Sequence, residues 1–134
     1  MGHGIFDNDE SCKWVGLLDR CGDLNDVSYY LGEIFSHSES IISSSKANKA
    51  LVVCEAIARL LGNFGEEMSA QTEILDRLVA KSNLVLTPRI VIMAVAAIEV
   101  ILTEPSEILN VWSTAEDLAL WKNNVETLRT RIHI

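Results

Sequence analysis

Positive charge is scarce in this 134-residue chain: 11 Lys and Arg stand against 19 Asp and Glu, a formal net charge of −8. A nucleic-acid binder needs a basic stripe to displace phosphate counterions, and none runs through the sequence. Anionic lipid headgroups would be repelled by the same excess, so no membrane surface is expected as a partner. What is left is solubility, or attraction to a basic protein. Cysteine is sparse too, and its number, three, suits no closed disulfide framework. Cys12 and Cys21 fall on one expected helix, roughly 13 Å of rise and about half a turn apart, so bridging them would unfold it. Three free thiols in a reducing cytoplasm is the expectation. Long apolar runs are missing as well. The most apolar stretch, Ile90 to Ile98, reaches membrane length only by taking in Pro88, Arg89 and Glu99, which marks it as a buried core helix. Met1-Gly2-His3-Gly4 carries neither a basic n-region nor an apolar h-region, so no signal peptide is expected. Finally, nothing reads as a strand followed by a hairpin turn.

What is present is helical periodicity. Ala47, Ala50, Leu51, Cys54, Ile57, Ala58 and Leu61 fall on one stripe at the i, i+3, i+4, i+7 spacing. Val53, Ala56 and Leu60 carry that stripe far round the helix, which predicts a central helix over 47–61 with partners on several sides. Gly62 stops it by entering the left-handed conformation. The length predicts one domain, 1–134. The fold class expected is therefore all-α, a compact bundle of six or seven helices around the buried helix at 47–61.

The other helices follow from caps and stripes. Asp7 and Glu10 resemble a capping box for helix one, with Trp14, Leu17, Leu18 and Cys21 as its inner face. Asp23 caps a second helix bearing Leu24, Val27, Leu31, Ile34 and Phe35. The serine-rich 36–45 is an anchored loop. A helix is expected from Glu67 to Lys81, another from Thr87-Pro88 to about Leu102, and a short turn from Ser106 to Trp112. Ser113 to Glu116 is a capping box for the last helix, where Leu118, Trp121, Val125, Leu128 and Ile132 repeat at threes and fours. Trp14, Trp112 and Trp121 sit at core spacing.

Gly2-His3-Gly4-Ile5-Phe6-Asp7-Asn8-Asp9 with Trp14, then Cys54-Glu55-Ala56-Ile57-Ala58-Arg59-Leu60 followed by Gly62-Asn63-Phe64-Gly65-Glu66, then Ser106-Glu107, Trp112 and Trp121, stand in this order over nearly the whole chain. In these residues the sequence resembles a bacterial family known as domain of unknown function 4259. His3 stands where that family often shows a tryptophan or a small residue. The resemblance implies a small bacterial protein and brings with it no activity, cofactor or catalytic residue.

Two sets of residues are candidate sites. Glu55 and Glu99 are carboxylates on mostly apolar helices, and such a pair does acid–base work once burial shifts the two apart. The structural alternative is that they emerge at the wet edges of their helices or pair with Arg59 and Arg89. Glu104, Glu107, Glu116 and Asp117 form a candidate acidic interaction surface, since no positive residue lies between Arg89 and Lys122. Gly2-x-Gly4 before a helix is no phosphate cradle, because Asp7, Asp9 and Glu10 crowd it. His3, His37 and His133 are scattered without i, i+3 or i+4 companions, so no metal site and no cofactor are expected. No nucleophile signature is present, which leaves no catalytic residue to name. The leading expectation is a non-enzymatic protein-binding module for a basic partner, of immunity or antitoxin type. The alternative is a small enzyme or ligand carrier with Glu55 and Glu99 facing a helical cavity.

Overall fold

The computed structural model describes residues 9–21, 27–35, 43–65, 69–82, 85–103 and 114–132. Among them are six α-helices and no strand: α1 (Asp9–Cys21), α2 (Val27–Phe35), α3 (Ser44–Leu60), α4 (Ala70–Lys81), α5 (Pro88–Thr103) and α6 (Ala115–Thr130). The expected all-α bundle is thus what forms. The turn expected at 106–112, the capping Asp7 and Asp23, residues 36–42 of the serine-rich loop, and Trp112 lie outside the described residues.

The third helix is the hub, in contact with all five others. Ala47, Asn48 and every residue from Ala50 to Arg59 are buried, so no face of its middle turns is left to water. It starts three residues earlier than the apolar stripe suggests. Ser43, in an extended conformation, accepts a hydrogen bond from the Lys46 amide at 3.3 Å and so supplies the cap. Gly62 ends it with φ at +85°. The Gly62 amide donates to the Arg59 carbonyl and the Asn63 amide to the Ala58 carbonyl, both at 3.0 Å, which is a full Schellman closure.

Caps also explain where two other helices begin. The fourth helix opens at Ala70 rather than Glu67, because Ser69 and Thr72 form a reciprocal capping box. Thr114, not Ser113, caps the sixth, accepting from the Asp117 amide at 3.0 Å. Thr87 accepts from the Ile90 amide at the start of the fifth, as the Thr-Pro signal implies.

On α1 the buried face is Ser11, Val15 and Leu18, one position round from the expected stripe, and Trp14 is only half-buried. The rotation has a cause. Ser11 donates to the Asn48 carboxamide at 3.3 Å inside the core, and Trp14 turns outward to stack on Lys49. The Lys49 ammonium lies 4.2 Å from the Trp14 ring centroid and 5.2 Å from that of Tyr30, and it pairs with Glu33 at 3.0 Å. One lysine thereby ties α1, α2 and α3 together. Phe35, expected to face inward, is exposed at the end of α2. Trp121, Val125, Leu128 and Ile132 of the last helix are buried as their spacing predicts. No described helix is long and apolar enough to cross a membrane.

Candidate functional site

The described part of the motif, Glu55 to Gly65, supplies one side of an ion-pair cluster. Burial of α3 on all sides carries Glu55 and Arg59 inward with it, one helical turn apart, and neither position can turn to solvent. A carboxylate and a guanidinium taken out of water need partners, or the desolvation cost goes unmet. The partners come from three other segments.

Arg131, at the C-terminal cap of α6, reaches Glu55 with both terminal nitrogens. Its Nη1 donates to Oε1 at 3.2 Å and its Nη2 to Oε2. The same guanidinium donates from Nε to the Asn63 backbone carbonyl at 3.0 Å, and the Asn63 side-chain Nδ2 donates to the Arg131 carbonyl at 2.8 Å. Gly65 completes the seat. A Cβ there would lie 2.7 Å from Arg131 Nη1, so any larger residue would have to displace the fork from this seat.

Arg59 is the inner member of the cluster, 3% exposed. Its Nε is 3.6 Å from Glu55 Oε2, and its Nη1 donates to Asp76 Oδ1 of α4 at 2.6 Å. The guanidinium carbon sits 5.6 Å from the Phe64 ring centroid, which lies over it as a partial cover. Among the described residues, Nε and Nη2 of Arg59 find no hydrogen-bond acceptor. Two arginines thus face two carboxylates, and the cluster pins α4, the loop after α3, and the end of α6 onto the hub.

Cys54 lies beside Glu55 and points the other way, its Sγ 3.7 Å from the Ala94 carbonyl. Burial first, and the neighbouring Glu55 charge second, push this thiol far above the ordinary cysteine range. It is a packed core group, with no thiolate available near neutral pH.

Glu99 does not share this environment. It is 55% exposed on α5, and it pairs with Arg129 at 3.1 Å, which also holds Glu126 at 2.7 Å. The expected alternative partner, Arg89, lies ten residues away on the same helix, about 15 Å of rise, beyond side-chain reach. Glu99 is therefore engaged by Arg129 of α6 and Glu55 by Arg131 at its C-terminal cap. Both oxygens of Glu55 are taken up by guanidinium donors, an arrangement that holds elements together. Of the candidate acidic surface, Glu116 and Asp117 occupy the first turn of α6, where the helix dipole favours them. Glu104 and Glu107 lie outside the described residues, as do His3, His37 and His133.

Of the cluster, the sequence pointed to Glu55 and its bond to Arg59. Arg131, Asn63 and Asp76 were missed, because they meet Glu55 and Arg59 only through the tertiary fold. The signal available was the one that carries the family resemblance: Glu55, Arg59, Asn63, Phe64 and Gly65 all belong to it.

The model of the family described as domain of unknown function (DUF4259) matches residues 1–124, and the chain belongs to that family. Among curated proteins and among solved structures, nothing matches.

Proposed function

We propose that this member of the domain of unknown function 4259 family is a non-enzymatic protein-binding module, and that its partner is a basic protein. An immunity or antitoxin role is the concrete form of that reading. The observation that carries it is where the positive charges go. Lys49, Arg59, Arg129 and Arg131 are all closed onto carboxylates of the chain itself. These are four of the chain's 11 Lys and Arg, and with a net charge of −8 we take the surface to carry an excess of acid. Such a surface speeds encounter with a cationic partner and disfavours nucleic acid.

The alternative, an enzyme or carrier using Glu55 and Glu99 together, is disfavoured by their separate engagement. Acid–base work needs a carboxylate within reach of a substrate proton. Glu55 instead accepts from Arg131 through both of its oxygens.

Affinity capture from native lysate, washed in parallel at low and high salt and identified by mass spectrometry, tests the proposal. Basic proteins retained at low salt and released by high salt support it. Capture dominated by acidic or neutral proteins, or retention indifferent to salt, speaks against it.

A further inference from the structure

We propose that the groove between α2 and α5 is a binding site for a small aryl carboxylate. It is separate from the ion-pair cluster and does not depend on the protein-binding reading. Tyr29, Arg89, Ile90 and Met93 line it, around a space of about 420 Å³. That falls in the range of small-ligand clefts and is far too small for a folded partner.

The chemistry of the lining selects the ligand. Arg89 is an exposed cation that forms no ion pair among the described residues, unlike Arg59, Arg129 and Arg131. It stands in the first turn of α5, which carries no acidic residue. The positive end of that helix therefore adds to the arginine instead of being cancelled. On a chain of net charge −8 this is a local site for an anion. One planar fork suits a carboxylate, whereas a dianion such as a phosphate monoester would meet the repulsion of the whole protein.

The rest of the lining is apolar and soft. Tyr29 is 68% exposed, its ring set edge-on to Tyr30 at 5.8 Å and 69°. Met93 follows Arg89 by one helical turn and brings a thioether. A tyrosine ring and a methionine sulfur both gain specific contact energy from an aromatic partner, which an alkyl chain would not give. An aromatic ring between Tyr29, Ile90 and Met93, with its carboxylate on the Arg89 guanidinium, uses each lining group among the described residues.

The probes are 3-phenylpropanoate and its uncharged counterpart 3-phenylpropan-1-ol, titrated into the full chain and followed by two-dimensional NMR. The acid is expected to give saturable shifts at Tyr29, Ile90 and Met93 and to bind more tightly than the alcohol. Arg89→Gln, an exposed change, should weaken the acid about tenfold, the scale of one charge-assisted pair, and leave alcohol binding unchanged. Lys13→Gln, a change at another exposed cation, should alter neither. Equal binding of acid and alcohol, the absence of saturable shifts, or an equal loss in both variants would each overturn the proposal. So would a short peptide ending in phenylalanine that binds far more tightly than 3-phenylpropanoate, which would make the groove a peptide-docking surface.

Discussion

Replacing Arg131 by alanine removes the outer half of the clamp and leaves Glu55 in the core, where its side chain is 5% exposed. Stripping one partner from a buried ion pair costs about 3–5 kcal/mol in general, because the remaining charge is left uncompensated. Here two features lower that figure. The Arg131 side chain is 17% exposed, so water can follow it out of the site. Arg59 also waits beside Glu55, with Nε 3.6 Å from Oε2 and Nη2 lacking an acceptor among the described residues. Against them, the Asn63 carbonyl loses its donor. The expected cost is about 2–3 kcal/mol, the upper part of the range for a charged hydrogen-bonded group that keeps a second partner. Urea unfolding followed by fluorescence of the buried Trp121 and by far-ultraviolet circular dichroism measures it, with an unchanged m-value as the control. Arg131→Lys should recover only part, since an ammonium cannot reproduce the fork. Gly65→Ala pushes a methyl group into Nη1 and should be costly in the native chain but nearly neutral beside Arg131→Ala. A loss below about 0.5 kcal/mol for Arg131→Ala, the level of an ordinary surface change, would refute the clamp. A loss above about 5 kcal/mol would refute the supporting role given to Arg59.

Three further outcomes follow from the core. Ile57→Ala, at a fully buried position of the hub, should cost about 2–5 kcal/mol in denaturant melts, and a near-neutral result would make this helix peripheral. Lys49→Ala should cost about 1–2 kcal/mol, the scale of one partly buried ion pair and two cation–π contacts; Lys49→Arg should retain part of it. Cys54 is raised in the folded state above its unfolded value, so its contribution to stability is complete below the unfolded thiol value and is lost as pH rises beyond it. Unfolding free energy should fall above about pH 8.5 by up to roughly 1.4 kcal/mol per unit from this group, and Cys54→Ala should remove that component.

The hub was legible because its signal is local. Apolar residues on nearly every face of 47–61, with Gly62 behind them, leave few structures but a surrounded helix. Helix starts were less legible where two hydroxyl residues adjoin, as at Ser113-Thr114, since either satisfies the capping pattern and only the observed geometry selects Thr114. The role of Lys49 is hidden for a different reason. A lysine on a helix reads as solvent-facing, and its placement against Trp14 and Tyr30 depends on two helices distant in sequence. The candidate site divides in the same way. Glu55 with Arg59 is an i, i+4 pair readable from spacing, whereas Arg131 lies 76 residues from Glu55 and no periodicity links them. Glu55 and Glu99 read as a pair because both interrupt apolar helices, and that pattern says nothing about which arginine each one meets.

The claim on which the functional account turns is that an acidic surface draws a basic partner, and the salt dependence of the association rate tests it most directly. Between about 0.05 and 0.5 M salt the screening length shortens roughly threefold, so charges beyond contact range stop acting on the encounter. With a captured partner on a stopped-flow instrument, the account predicts an association rate that falls by an order of magnitude or more over that range, with dissociation changing far less. An association rate that stays level as salt rises would contradict it.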